Sequence, residues 1–444
     1  GSAAAHVLGY TGIDDNPVAE DFPGEDLLTF KMKGSFGRDG LEKKFDDYLQ
    51  GESGGAIYHV DIGGYKVGLP IEKRLPVQGH NLTTSLDIDL QVAAEKAMGD
   101  HIGAAVALDI RTGEVLVMAS KPDYDLNEFV PRLSHDTAKQ IEESGGWLNR
   151  AIQGAYPTGS TFKIITSVAG LRSGAIDHQS RYTCPGYIMI GNRRFPCAHG
   201  AVHGDVNLTK AIALSCNVFF CNYGRDIGGE LLATEARRFG YDQPTGIELP
   251  GESTRMLVGS PEWKKEKLNE NWFPGDSANM AIGQGFLDTT PLQVACMVAS
   301  FARGETRTTP TLLHDPNRPA QHSAPIGLLP SDYNFIVEGL ELCAKAGTGK
   351  LLKIEGMRVA AKTGTAQKRV KIDEKVGNVE LGWMVAFAPI DNPRIAIAVV
   401  MESQEIDQSF GGGVYASPVV KAVFEKWRDK QADTPAQLRV TANP

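Results

Sequence analysis

Ser160 and Lys163 stand three residues apart in Tyr156-Pro-Thr-Gly-Ser-Thr-Phe-Lys163, directly ahead of the apolar run Ile164-Ile-Thr-Ser-Val-Ala-Gly-Leu171. Pro157 and Gly159 break the chain and the run behind them suits a buried helix, which predicts Ser160 at a helix N-terminus. Three residues along a helix is one turn, so the amine can reach the hydroxyl. A serine becomes a useful nucleophile when a neighbouring base takes its proton, and a lysine kept neutral by burial or by a second cation can be that base. Taken alone, Ser-x-x-Lys usually means an N-cap serine and a solvated lysine. Two later segments change its weight. Ser215-Cys-Asn217 follows a helical pattern, and Lys362-Thr-Gly-Thr365 lies in the strand-like stretch from Met357 to Gln367. Together they offer a second hydroxyl, an amide and a second cation flanked by hydroxyls.

The elements that must hold these groups come from both ends of the chain. Leu82 to Leu86 reads as a strand, and Asp87 is placed to cap a helix from Ile88 to Met98. Ala104 to Ile110 and Glu114 to Ser120 flank Arg111-Thr-Gly113, a hairpin signal. Three more strands are predicted at Met357 to Gln367, Leu381 to Pro389 and Arg394 to Glu402, with a closing helix from about Val414 to Lys430. Strands this apolar need cover on both faces, and strands from remote segments imply one sheet. The interior supplies helices, among them one from about Leu208 to Tyr223. The expected organisation is a first region at residues 1–80, a single domain at 81–430 and a disordered tail at 431–444. The first region contributes one amphipathic helix, Gly40 to Gln50, with Leu41, Phe45, Tyr48 and Leu49 on its apolar face, and too little core to stand comfortably alone.

Composition narrows the function classes. A net charge of -9 and a pI near 5.7 exclude a basic nucleic-acid surface. The longest apolar runs, such as Ile395 to Met401, fall far short of a bilayer span of roughly 20 residues. Gly1-Ser2 reads as the scar of a cleaved tag and His6-Val-Leu-Gly-Tyr10 opens as if in mid-domain, so the natural start is expected to lie upstream.

The order Ser-x-x-Lys, Ser-x-Asn, Lys-Thr-Gly, with long gaps, is the signature set shared by penicillin-binding proteins and class A β-lactamases. With Gly40-Leu-Glu42, Leu49-x-Gly51, the stretch Leu108 to Ala119, Ile282-Gly-Gln-Gly285 and Ala386-Phe-Ala-Pro389, the chain resembles a class B penicillin-binding protein of the elongation type over nearly its whole length. The resemblance implies an α+β fold: an antiparallel sheet covered by helices on both faces, with a helical subdomain, preceded by a truncated pedestal. It implies a peptidoglycan D,D-transpeptidase at the periplasmic face of the inner membrane, anchored by a helix that precedes this sequence. Ser160 would be the nucleophile, Lys163 its base, Ser215 the proton donor to the leaving amine, and Asn217 an anchor for substrate and Lys163. Lys362, Thr363 and Thr365 would hold the substrate's terminal carboxylate. Gly364 would let the acyl chain lie along the strand edge, although a glycine at a sheet bulge is its plainer meaning. Ser160 and Thr365 would supply oxyanion N–H groups. Stem peptides, β-lactam antibiotics, a membrane glycosyltransferase and elongation-complex proteins are the implied partners. A β-lactamase, a lactam-sensing receptor domain, a D,D-carboxypeptidase and a division-type transpeptidase would share much of this pattern.

Six cysteines include four between Cys184 and Cys221, close to His199 and His203. Cys184, Cys197, His203 and Cys216 make a closed three-thiol, one-imidazole set suited to a structural zinc ion. The segment Gly186 to Phe195 is hairpin-like and would bring Cys184 and Cys197 together. A Cys184–Cys197 disulfide is the alternative.

Overall fold

The computed structural model describes residues 1–12, 35–52, 54–130, 132–372 and 375–433. They fall into two units: Gly1–Thr84 with Asp123–Trp147 and Glu248–Pro250, and a larger one of Ser85–Pro122, Leu148–Ile247 and Gly251–Pro444.

The larger unit is organised on a sheet of β1 (Gly103–Asp109), β2 (Val115–Lys121), β3 (Ala360–Ile372), β4 (Lys375–Ala388) and β5 (Ile395–Glu402). Its order is β3-β4-β5-β1-β2 and every neighbouring pair is antiparallel. The strands are rich in Val, Ile and Ala, and alternate residues face opposite sides, so each side becomes an apolar layer. One layer carries Ala105, Ala107, Ile395, Ile397 and Val399. It packs on Leu90, Ala94 and Met98 of α1 (Ile88–Met98) and on Val419, Val423 and Phe424 of the final helix. On the other side Phe387 meets Phe301 across 6.2 Å, and Phe301 belongs to a helix, Pro291–Ala302, buried along its whole length. A helix apolar all round is a core helix. Asp87 caps α1 by accepting from Asp89 N–H and Leu90 N–H, as its position in the sequence requires.

The helical part of this unit includes α2 (Lys163–Ser173), α3 (Leu208–Ala213) and α4 (Asn217–Ile227), and the chain closes with α5 (Ser417–Asp433). The single helix expected from Leu208 to Tyr223 is therefore two. Ser215 sits at φ 52° between them, a left-handed conformation that helices do not admit and non-glycine residues rarely take. The sequence gives no glycine or proline there to announce the break.

Two further expectations need correction. Residues 82–86 form no strand; Ser85 is pinned by its N–H to Leu312 O (2.8 Å) and its hydroxyl to Val115 O (2.8 Å). The Gly40–Gln50 helix is two short pieces, Gly40–Lys44 and Asp46–Leu49, broken at Phe45. Asp46 there accepts from Gly37 N–H at 2.9 Å, and Tyr48 is exposed instead of joining an apolar face. Tyr124, Phe129 and Ile141 pack with Ala5, joined by Tyr10 and Trp147, so residues 123–147 supply the first unit with the core its own N-terminal stretch lacks. At the other end α5 runs to Asp433, inside the stretch read as a tail, and residues 434–444 lie outside the described residues.

Candidate active site

The turn that carries Ser160 is fastened from four sides. Tyr156 exchanges backbone hydrogen bonds with Thr289 (2.9 and 3.0 Å), and its hydroxyl donates to Glu402 at 2.6 Å. The Trp383 indole N–H donates to Pro157 O at 3.0 Å, and Gly159 N–H to Gly283 O at 2.8 Å. Gly159 lies at φ 53°, where a Cβ would meet Thr365 O at 2.5 Å, so only glycine fits this approach of the turn to β3. Ser160 does not begin an α-helix, as the sequence suggested. It sits in a 3-10 turn, Gly159–Phe162, and α2 starts at Lys163. Side chains three apart eclipse in such a turn, which still sets the two residues on one edge.

Lys163 is fully buried, and its amine donates to Ser215 O (2.8 Å), Ser215 Oγ (3.2 Å) and Asn217 Oδ1 (2.7 Å). None of these bonds runs to Ser160. The left-handed Ser215 turns its own carbonyl and hydroxyl toward the amine, while Cys216 caps α4 and Asn217 opens it. The break that sequence patterning missed is thus what builds this constellation.

Lys362, also fully buried, lies on β3, whose outer edge has no partner strand among the described residues. Its amine donates to Thr363 O at 2.8 Å, and Thr363 Oγ1 meets Thr348 Oγ1 at 2.5 Å. The β3–β4 register runs through Gly364↔Trp383 without a shift, so the glycine marks no bulge. A Cβ on Gly364 would instead come within 3.0 Å of Thr158 O, which ties the glycine to the close seating of the serine turn. Ser160, Ser215, Asn217, Thr363, Gly364 and Thr365 all line one cleft of about 820 Å³.

The electrostatics suit an amine that gives and takes protons. Burial, then the Lys362 charge, push the Lys163 amine down to about 7, and burial pushes Lys362 to about 8. A neutral Lys163 near a protonated Lys362 would pair a proton acceptor with a cation.

Cys184, Cys197, His203 and Cys216 converge, with all four ligand atoms within 4.8 Å of one another. His203 Nδ1 is 3.7 Å from Cys184 Sγ and 3.4 Å from Cys197 Sγ, and the Cys197 and Cys216 sulfurs are 3.9 Å apart. Ligands of a tetrahedral ion with bonds of about 2.3 Å sit about 3.8 Å apart, so both donor set and spacing fit zinc. The expected hairpin is present as Tyr187–Ile190 paired with Arg193–Pro196. All six cysteines are free thiols, so Cys184 and Cys197 share no disulfide. The side chain of His199 lies outside the described residues.

Sequence reasoning missed Thr348, Trp383 and the pair Arg150–Glu402 (3.3 Å) that receives Tyr156. Thr348 sits in Ala346-Gly-Thr-Gly349 far from any motif, and the others are single residues inside apolar strands or short helices. Only three-dimensional proximity marks them.

Residues 103–425 match the penicillin binding protein transpeptidase domain, and residues 1–84 the penicillin-binding protein dimerisation domain. The peptidoglycan D,D-transpeptidase MrdA of Acinetobacter baumannii is 32% identical over 464 residues, spanning 99% of this chain and 67% of that protein. The solved Pseudomonas aeruginosa PBP2, in complex with WCK 5153, superposes with a TM-score of 0.79 at 29% identity, covering 98% of this chain and 92% of its own. PBP2 of Helicobacter pylori, solved in a complex with MreC, gives 0.79 at 28% identity, covering 97% and 78%. The chain belongs to the penicillin-binding protein transpeptidase family. It is an enzyme of the serine-type D,D-transpeptidase class.

Proposed function

We propose that this chain cross-links peptidoglycan in cell-wall elongation, with Ser160 as the nucleophile. The observation that carries the reading is a buried amine at Lys163, held by Ser215 and Asn217 and pushed down to about 7, one turn from a serine that lines the cleft. Ser160 Oγ attacks the carbonyl joining two terminal D-alanines, and its proton passes to Lys163. Backbone N–H groups of Ser160 and Thr365 hold the oxyanion, each worth about 3 kcal/mol. Lys362, Thr363 and Thr365 hold the terminal carboxylate. Ser215 passes the proton from Lys163 to the leaving D-alanine amine, and an acyl-enzyme remains. An amine of a neighbouring stem then attacks the acyl carbon and gives its proton to Lys163, which returns a proton to the departing Ser160 Oγ, so the cross-link forms and the serine hydroxyl is restored. A β-lactam takes the same first step and stays on the serine.

Zinc at Cys184, Cys197, His203 and Cys216 would act structurally, fastening the Tyr187–Pro196 hairpin to the residues on either side of Cys216. No step of the acyl transfer runs through it. A complex of a related PBP2 with MreC, and a solved peptidoglycan synthase complex for polymerization and crosslinking that matches at a TM-score of 0.78, support elongation proteins and a membrane glycosyltransferase as partners. The site of action in this reading is the periplasmic face of the inner membrane.

The test is mass spectrometry after incubation with benzylpenicillin, followed over hours. A stable adduct mapped to Ser160, lost in Ser160→Ala, is the expected result. Labelling that persists in Ser160→Ala removes the nucleophile, and rapid release of hydrolysed drug makes the enzyme a β-lactamase.

A further inference from the structure

Lys163 directs its hydrogen bonds to Ser215 and Asn217, and none of them reaches Ser160. The separation of base and nucleophile is therefore set through the backbone that delivers the serine. That backbone arrives along residues 150–156, which open on one helical turn, Arg150–Gln153, and end at the isolated bridge of Tyr156 to Thr289. A segment with so few bonds of its own takes its shape from what grips it.

One carboxylate grips both of its ends. Glu402, the last residue of β5, accepts on Oε1 from the Tyr156 hydroxyl at 2.6 Å and from Arg150 Nε at 3.3 Å. Glu402 is steadied by its own N–H, which donates to Ile102 O at 2.8 Å, and Arg150 by its N–H, which donates to Ser120 Oγ of β2 at 2.9 Å. The three groups are withdrawn from water: Tyr156 is 1% exposed, and the side chains of Arg150 and Glu402 are 9% and 17% exposed. Burial, then the Glu402 charge, hold the phenol well above its ordinary titration range, so it remains a donor. The ring itself has little freedom, because the Lys368 amine stands 4.8 Å from its centre, Trp383 meets it edge-on at 6.3 Å, and a Cβ on Gly154 would lie 2.3 Å from it. Apolar side chains of similar volume would hold the fold about as well as a buried ion pair does. What the charged trio adds is direction, since a carboxylate oxygen with two donors fixes the angle of each. None of the three residues lines the cleft, so none touches a ligand there.

We propose that Glu402 is a positioning residue for the nucleophile: by holding Arg150 and Tyr156 at the two ends of one segment, its carboxylate fixes where Ser160 stands relative to the Lys163 amine. This rests on the proposed roles of Ser160 as nucleophile and Lys163 as base. It gives the end of β5 a part in the chemistry, exerted from behind the cleft and through the backbone. The network acts on the acylation step and not on the binding that precedes it, because a nucleophile slightly out of line reacts slowly however well the ligand is seated.

The experiment separates those two stages. Stopped-flow labelling of the whole chain over a range of fluorescent-penicillin concentrations gives the dissociation constant of the first, non-covalent complex and the rate constant of acylation. Tyr156→Phe removes one oxygen and keeps the ring; it should lower the rate constant about tenfold, the scale of one charge-assisted hydrogen bond, and leave the dissociation constant within about twofold. Glu402→Gln should lower the rate constant at least as far, and the double variant no further than the slower single one, because both changes break the same contact. If Glu402→Gln fails to fold, Tyr156→Phe decides alone. A Tyr156→Phe rate constant within about twofold of wild type overturns the proposal, as do single effects that multiply in the double variant or a loss confined to the dissociation constant. Each of those results leaves Ser160 as the nucleophile, whereas a wild-type adduct that maps to another residue sinks the nucleophile assignment itself.

Discussion

Replacing Lys163 with methionine separates what the buried amine does for catalysis from what it costs the fold. In the wild-type protein at pH 7.5, folding takes a group that is protonated in the unfolded chain, at 10.5, to a site where it titrates at about 7. Giving up that proton costs about 4 kcal/mol, three units at 1.36 kcal/mol each. Against this stand three hydrogen bonds, two that the neutral amine donates to Ser215 O and Asn217 Oδ1 and one that its lone pair accepts from the Ser215 hydroxyl, worth together about 3 kcal/mol. The two terms nearly cancel, and methionine keeps the length and the apolar stem. Lys163→Met should therefore change the melting temperature by only a few degrees, or raise it. The same change should lower the second-order rate of penicillin acylation by 10²–10⁴, the range for a lost general base, about 3–5 kcal/mol in the barrier. Stopped-flow fluorescence with a fluorescent penicillin between pH 6 and 9 gives both readouts. The wild-type rate should climb as pH rises through about 7, because only the neutral amine accepts a proton, and the mutant should lose this limb. Because the folded site binds fewer protons than the unfolded chain between pH 7 and 10, wild-type stability should gain on the mutant over that range. An acylation rate within threefold of wild type, or an unchanged acid limb, would refute the assignment of the base.

Lys362→Met removes the cation that helps depress Lys163, so the acid limb should move to higher pH while acylation by carboxylate-bearing lactams falls; a limb that stays put would mean burial alone sets the base. Above about 8 wild-type acylation should decline as Lys362 loses its charge, giving a narrow bell that the same mutant flattens on its alkaline side. Elemental analysis of chelator-free protein should find about one zinc per chain, and Cys216→Ser should lower both zinc content and melting temperature; zinc near zero in protein with four free thiols would remove the ion. Gly283→Ala places a Cβ 1.9 Å from Gly159 O in a backbone at φ 75°, so it should destabilise the domain by about 2–4 kcal/mol and slow acylation more than an alanine elsewhere on that loop; unchanged labelling would show that the Gly159–Gly283 contact does not seat Ser160.

The motif residues were legible because chemistry restricts them to few types in fixed order, and the sheet because Val and Ile runs leave few other options. Even so, the sequence misplaced the most consequential turn. Ser215 takes a left-handed conformation that its own type disfavours, and the surroundings impose it: Lys163 binds its carbonyl, and Cys216 N–H reaches back to Ala211 O. Local propensity cannot report a conformation that a distant lysine helps to hold. Likewise the segment 123–147 reads as part of the larger domain by position, yet its aromatic residues complete the core around Ala5 and Tyr10. The cysteine cluster was legible in composition.

The sheet order also sets a schedule for making the protein. β1 pairs with β2 on one side, but its other edge waits for β5, and about 285 residues lie between Asp109 and Ile395. At synthesis rates of roughly 5–20 residues per second, the first hairpin is complete some 15–60 s before its partner strand exists. During that interval a strand buried on both faces in the finished molecule presents an open, apolar edge, the kind that pairs readily with any other extended chain. Premature termination between Thr365 and Ile395 leaves all three catalytic motifs translated and the sheet that aligns them unclosed. Such fragments would be sticky rather than weakly active, and the last strand is the one that makes the first one safe.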